Sequence, residues 1–540
     1  MVAPQDLLVQ LIQRAVAAVQ RRAWGEAAEL ANTVLQRFGP EPNALMVLAS
    51  VRAETGDLPG AIEFYERARA VMPTHIHVLV NLASAYRATG RLREARSSLD
   101  AALQVDPRYA IAHNNLGNVL VDLGERREGL RSYERAVALD PRYSDPVASL
   151  AKSAEEEHRL DDARRLAERA LELAPQNILA ALTLARVKLR QDDGAGAATI
   201  LEALLPGAAL SATNLIVAQG YLAEAYDMLG RYDDAFAAFT AANAFQHGQY
   251  AATVARDRGP LTPASIARLT AFVAGVEPGV WRSAPPAAAS PVFLIGFPRS
   301  GTTLLDQILA SHPGVTTLEE RDTLFDAANE LISAEEAFKR WADLTPRELE
   351  RLRELYWRRV RAGLSSAPGT PVFVDKQPLN AALLPLIYRL FPAAKIILAL
   401  RDPRDVVLSC YQQRFGMNVA MYQLLRLDTA TAYYDAVMRL VEVSRAKLPL
   451  RLHVVRYEDV VGTFETTIRG VLDFLELGWD EGVRRYAETA KKRPIDTPSA
   501  AQVVRPLYRS ARGKWRHYTK YLEPYFPTLA PWVKTFGYEA

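Results

Sequence analysis

Hydrophobic and polar positions along this chain follow two different rules. Through residue 246, small apolar residues return on a fixed spacing. Prolines stand at 73, 107, 141 and 175, each 34 residues apart. Gly56, Gly90 and Gly124 keep the same period, with His158 and Asp192 in the next two slots. Ala61, Ala95, Gly129, Ala163 and Ala197 follow five residues after those positions, and Ala68, Ala102, Ala136 and Ala170 form a further register. Tyr65, Leu99 and Tyr133 supply a bulky position, with Ala167 fourth in that series. The pattern predicts pairs of helices. Small residues let two helices cross closely, the mid-repeat glycine turns the chain, and the proline ends the second helix. A diverged unit around 25–28 precedes the series, and another with Gly230, Ala235 and Phe239 follows a four-residue insertion. Six to seven units then fill 1–246.

From about residue 285, short apolar runs alternate with helical spacing. Val292–Ile295, Val372–Val374, Lys395–Leu400 and Leu452–Val455 read as strands, and Leu383–Leu390 and Asp405–Gln413 as helices. The run KIILAL at 395–400 is almost continuously apolar, as in a parallel sheet covered on both faces. Between the halves, 247–290 is crowded with prolines, among them Pro260, Pro263, Pro278, Pro285 and Pro286, and offers one helix, begun by the pair Thr262–Pro263. The expected architecture is an all-α solenoid over 1–246, a linker with a docking helix over 247–284, and an α/β P-loop-like domain with a central parallel sheet over 285–540. The strict 34-residue period resembles the tetratricopeptide repeat, whose hairpins stack into a right-handed solenoid. Such solenoids present a concave peptide-binding groove; the alternative is a spacer or a scaffold for a homodimer.

Composition narrows the classes. Apolar residues make up 49% and charged residues 24% of the 540, which is globular, multidomain composition. With 65 basic and 62 acidic residues the net charge is +3, which gives no reason to expect nucleic-acid binding. The single cysteine, Cys410, excludes an internal disulfide framework and fits a reducing compartment. No secretory leader pattern and no apolar run of membrane-spanning length is found, so the expected location is the cytoplasm.

The chemistry concentrates in PVFLIGFPRSGTTLLDQIL, 291–309. A buried strand runs into a glycine turn and then a helix with Leu304, Leu305, Ile308 and Leu309 on one stripe. That geometry binds phosphate, because backbone N–H groups of the helix N-terminus and the helix dipole face the anion. Gly301 lets the backbone approach, Arg299 adds a forked cation, and Ser300, Thr302 and Thr303 add hydroxyl donors. Thr302 stands where a nucleotide P-loop has its lysine, which argues against ATP or GTP. Further polar residues fall where the strands end: Lys376, Arg401, and Arg456 with Tyr457.

GFPRSGTT, VDKQP, LRDPRDVVLS, VRYEDV and GKW, in this order over 285–540, resemble the sulfotransferase family, enzymes that use 3′-phosphoadenosine 5′-phosphosulfate (PAPS). His312, Pro313, Gly314 and Val315 followed by Glu319 and Glu320 are most similar to the tyrosylprotein sulfotransferases. The resemblance implies that Arg299, Ser300, Gly301, Thr302 and Thr303 grip the 5′-phosphosulfate and that Arg401, Ser409 and Lys514 hold the 3′-phosphate. It further implies Tyr457 beside the nucleotide, Glu320 as general base, Lys376 on the bridging oxygen and Ser499 as a late active-site serine. Glu320 can also be read as a charge at a helix N-terminus, and Glu319 as the working carboxylate. The sequence departs from the family in carrying Asp322 two residues after the base, where those enzymes have arginine.

A sulfuryl group carries less negative charge than a γ-phosphoryl group, so fixed cations such as Arg299 and Lys376 can replace a metal. The aspartates at 402 and 405 are therefore expected to cap and brace rather than ligate. The reading is a PAPS-dependent sulfotransferase that needs no metal and releases 3′,5′-adenosine bisphosphate. Its acceptor is protein tyrosine, presented with help from the repeats. A glycan or small-molecule hydroxyl acceptor, a P-loop kinase and a non-catalytic adaptor are the alternatives.

Overall fold

Prolines and glycines on a 34-residue period punctuate the first half into helical hairpins, and the computed structural model shows each one. It describes residues 4–207, 210–277, 287, 289–334, 337–364, 370–490 and 512–539. Among these, the first helices of successive pairs begin at Pro42, Ile76, Ala110, Ser144, Ile178 and Ala212, each 34 residues after the last. A further pair, Pro4–Gln20 and Trp24–Phe38, precedes them. The four-residue insertion lies in Ala212–Met228, which has 17 residues where Ile178–Arg190 has 13.

The mid-repeat slot is a left-handed turn throughout. Gly56, Gly90 and Gly124 have φ of 86°, 75° and 83°, and His158 and Asp192 adopt 61° and 60° in the same place. The register is therefore enforced by packing even where a side chain makes the conformation costly. Ala61, Ala95, Ala163 and Ala197 are fully buried, where paired helices meet.

Two compact units emerge, Met1–Asn214 and Leu215–Ala540. The helix Tyr232–Val254 runs unbroken through the expected boundary at 246. Ala235, Ala238 and Phe239 from it join the core of the second unit, together with Ile266, Leu269 and Val273 of Pro263–Ala274. Thr262 caps that helix by accepting from the Ser265 N–H at 3.1 Å.

The second unit is built on a five-stranded parallel sheet among the described residues: β1 (Val292–Gly296), β2 (Val315–Glu319), β3 (Val372–Lys376), β4 (Lys395–Leu400) and β5 (Arg451–Arg456), in the order β2-β3-β1-β4-β5. Alternate residues feed opposite layers. Phe293, Ile295, Ile396 and Leu398 face one core, and Val292, Leu294, Ile397 and Ala399 the other. β2 was not among the expected strands. Its sequence, VTTLE, holds two threonines between its apolar residues, so it lacks an apolar run and forms an edge strand paired only with β3.

Helix α1 (Thr302–Ala310) carries Thr302 and Thr303, α2 (Pro346–Gly363) carries Tyr356, and α3 (Pro403–Tyr411) carries Asp405 and Ser409. Since all five strands run the same way, their carboxyl ends share one edge. The loop after β1 lies between crossovers to either side, the position where parallel sheets open a crevice. Among the described residues, no helix is long and apolar enough to cross a membrane.

Candidate active site

The turn between β1 and α1 is held in a shape that few residues tolerate. Gly301 has φ of 95° and Arg299, not a glycine, has 70°. A Cβ on Gly301 would lie 2.9 Å from Cδ2 of Tyr457, so the ring of Tyr457 packs directly on this backbone. Gly296 is equally constrained, because a Cβ there would sit 2.6 Å from the carbonyl oxygen of Ala399 and 2.7 Å from Oγ of Ser300. The Ser300 hydroxyl donates to the Phe297 carbonyl, which closes the turn. Thr302 and Thr303 begin α1 and are buried. The first-turn N–H groups of that helix have no partner within it, so the turn is a ready anion cradle.

A cation that follows β4 and a hydroxyl from α3 converge on this turn. Arg299 Nε donates to Ser409 Oγ at 3.0 Å, and Arg401 donates to the carbonyl of Arg299 at 3.3 Å. The Arg401 guanidinium also lies over the Tyr457 ring, 5.0 Å from its centroid. The expectation that Asp402 and Asp405 cap and brace agrees with the structure. Asp402 accepts from the Arg404 N–H at 2.9 Å as the cap of α3. Asp405 accepts from the backbone of Gly513 at 2.7 Å and of Trp515 at 2.9 Å, tying the late turn to α3. Burial pushes the Asp405 carboxyl up, against the pull of Arg401. Lys514, inside that turn, donates to Oε1 of Gln412 at 3.0 Å and pairs with Oδ2 of Asp227 at 2.7 Å.

A second cluster stands at the carboxyl ends of β2 and β3. Lys376 is fully buried, and its Nζ lies 2.7 Å from Oε1 of Glu320 and 3.0 Å from Oε1 of Glu319. Glu320 follows a strand and has φ of 44°, so it is not a charge at a helix N-terminus. Its N–H donates to the carbonyl of Lys376 at 2.7 Å, which fixes the turn that carries it. Burial raises Glu319, with Lys376 opposing. Of the two carboxylates, Glu320 is the more open: its side chain is 33% exposed against 17% for Glu319.

One buried carboxyl behind this pair escaped the sequence reading. Asp375 is wholly buried and accepts from Thr323 Oγ1 at 2.6 Å and from the Tyr356 hydroxyl at 3.0 Å. It thereby joins β3, the turn after Glu320 and α2. Desolvation pushes its carboxyl up to about 7. An aspartate inside the apolar run VFVDK was the available signal, since a buried carboxyl demands partners. Asp227 left no comparable signal, because it lies far along the chain from Lys514. Ser499 lies outside the described residues.

The structure thus gathers Arg299, Ser300, Gly301, Thr302, Thr303, Arg401, Ser409 and Tyr457 around one turn. Lys514 joins that group through Gln412, which follows α3, and Lys376, Glu319 and Glu320 form an ion-paired group at adjacent strand ends. Cations and hydroxyls at the turn suit a polyanionic ligand, and a paired carboxylate and ammonium suit proton transfer coupled to charge development.

A model described as the sulfotransferase family matches residues 291–481. Models of the TPR, or tetratricopeptide, repeat match 83–124, then 12–72 and 115–178, and 154–213. An uncharacterized protein of Aquifex aeolicus (strain VF5) is 35% identical over 253 residues, covering 44% of this chain and 32% of that protein. The protein-tyrosine sulfotransferase of Drosophila melanogaster is 26% identical over 238 residues, covering 42% of this chain and 46% of that protein. The chain therefore spans less than half the length of these two relatives. A solved structure of a thermophilic TPR protein in Thermus thermophilus is 27% identical, with a TM-score of 0.31, and covers 34% of this chain and 99% of that one.

Proposed function

We propose that this chain, which carries a sulfotransferase-family domain at 291–481 behind tetratricopeptide repeats, moves the sulfuryl group of PAPS to a hydroxyl, and that the hydroxyl belongs to a tyrosine of a peptide or protein. The observation that carries the reading is the Lys376–Glu320 pair on the same sheet edge as the glycine turn after β1.

PAPS suits this donor set because its charge is divided between two ends, as the cations here are. Arg299 and the turn through Thr303 would hold the 5′ end, and Arg401, Ser409 and Lys514 the 3′-phosphate, with Tyr457 beside the nucleotide. Bound there, the molecule supplies an activated sulfuryl group. Glu320 takes the phenolic proton, which at a pKa of about 10 does not leave unaided. The phenolic oxygen forms its bond to sulfur as the bond from sulfur to the bridging phosphate oxygen breaks, and Lys376 stabilises the charge that collects on that oxygen. Arg299 stabilises the charge spread over the sulfuryl oxygens. Since fixed cations meet this need, the reading requires no metal.

Support for a peptide acceptor comes from the first unit. It holds a groove of about 710 Å³ lined by Asn114, Asn118, Tyr133, Tyr143 and Asn177, among others. Side-chain amides both donate and accept, which matches the main chain of an extended peptide. In this reading the repeats recruit the acceptor, and the reaction belongs to a reducing, cytoplasmic setting that suits a chain with one cysteine.

Incubation of the full chain with sulfur-labelled PAPS and a panel of tyrosine peptides tests the reading. Label should appear on tyrosine and disappear when phenylalanine replaces it. Labelled glycans or small phenols with unlabelled peptides would overturn the acceptor assignment, and ATP turnover insensitive to PAPS would overturn the reaction.

A further inference from the structure

The late turn at 513–515 and the helices after it rest on a helical hairpin that precedes the transferase domain in sequence. His517 stacks on Tyr232 with ring centroids 4.4 Å apart, and Tyr521 stacks on Phe236 at 3.6 Å. Tyr521 also donates to Asp233 at 3.0 Å. At the centre of this contact, Asp227 binds two groups at once. Its Oδ2 pairs with Lys514 Nζ at 2.7 Å, and its Oδ1 accepts from the Tyr518 hydroxyl. Burial, with the Asp227 charge adding to it, pushes the Tyr518 hydroxyl well up, so Tyr518 keeps its proton and stays a donor to the carboxylate.

Lys514 is the cation that the functional reading gives to the 3′-phosphate. An ammonium has three donors, and two are already engaged, by Asp227 and by Gln412. A phosphate arriving at Lys514 meets the third donor and also meets the Asp227 carboxylate at close range. Like charges that share one cation oppose each other, more strongly in a partly buried site than in water. Asp227 is mostly buried, so solvent screens it poorly.

We propose that Asp227, carried by the hairpin Ala212–Met228 and Tyr232–Val254, is a specificity-tuning residue of the donor site: it positions Lys514 and at the same time weakens the hold on the 3′-phosphate, which speeds release of the bisphosphate product. This rests on the reading of Lys514 as a 3′-phosphate ligand. The site is thereby completed by a helix outside the matched domain. A product that shares both phosphates with the donor would otherwise leave slowly, and release often limits turnover.

The test uses the full chain as wild type and as Asp227→Asn, Asp227→Ser and Lys514→Ala, titrated calorimetrically with 3′,5′-adenosine bisphosphate and with adenosine 5′-monophosphate. Asparagine keeps an acceptor for Tyr518 and removes the charge, and serine guards against a folding effect peculiar to the amide. Both Asp227 variants should bind the bisphosphate about fivefold to tenfold tighter, with affinity for the monophosphate unchanged. Stopped-flow release of the bisphosphate should slow by the same factor. Lys514→Ala should lower the ratio of the two affinities. If Lys514→Ala lowers the ratio while neither Asp227 variant raises it, Asp227 has no such role and the donor-site reading stands. If Lys514→Ala leaves the ratio unchanged, the assignment of Lys514 itself fails and takes this inference with it.

Discussion

The ammonium of Lys376 donates to Glu320 across 2.7 Å, and the same side chain has no exposed surface. A buried cation gripping a half-open carboxylate aims that carboxylate, and it places positive charge within reach of the same reaction. Glu320→Gln should therefore cut the rate of transfer by about 10²–10⁴, the usual worth of a general base, while binding of the bisphosphate nucleotide is retained. Initial rates together with calorimetry separate the two. If Glu319→Gln produces the fall and Glu320→Gln does not, the working carboxylate is the neighbour.

Gly301 offers a purely steric test. Its φ of 95° and the 2.9 Å gap between a hypothetical Cβ and Tyr457 leave no room for a side chain. Gly301→Ala should cost about 1–2 kcal/mol in backbone strain alone and displace Tyr457, so nucleotide affinity should fall by more than tenfold. Thermal melting checks that the fold survives; undiminished affinity would show that the turn does not contact the nucleotide.

Asp375 makes stability depend on pH in a definite sense. Its carboxyl is raised by burial to about 7 from an ordinary 3.8. The folded state therefore holds this proton more tightly than the unfolded state. The contribution is fully present below pH ~4 and is lost as pH rises through about 7, at about 1.4 kcal/mol per unit of difference. Urea midpoints of the wild type should fall between pH 5 and pH 8, and Asp375→Asn should flatten much of that fall. An equal slope in the variant would place the titrating group elsewhere.

In the solenoid, His158 occupies a left-handed slot that Gly56, Gly90 and Gly124 fill elsewhere. His158→Gly removes the steric cost and also a contact with Arg190, which keeps its ion pair to Glu155 at 2.8 Å. A net gain of about 0.5–1 kcal/mol in stability is expected, read as a higher midpoint in thermal unfolding.

Much of the fold was legible because it is local and periodic. The 34-residue spacing placed the helix starts, and the apolar run at 395–400 announced a strand covered on both faces. β2 was not legible, since Thr316 and Thr317 interrupt its apolar pattern and only pairing with β3 makes it a strand. The boundary was hard for a related reason: Phe239 obeys the repeat register yet packs into the core of the second unit. At the candidate site, the residue types at the strand ends could be read directly. Their partners could not, because Asp375 with Tyr356 and Asp227 with Lys514 are joined only by tertiary packing.

The most direct test of the central claim is a calorimetric titration of the full chain with 3′,5′-adenosine bisphosphate and with adenosine 5′-monophosphate, repeated on Arg401→Ala. The bisphosphate should bind clearly tighter, and the variant should lose about 1–3 kcal/mol for it and much less for the monophosphate. No binding of the bisphosphate at millimolar concentration, or equal losses for the two nucleotides, would contradict the account.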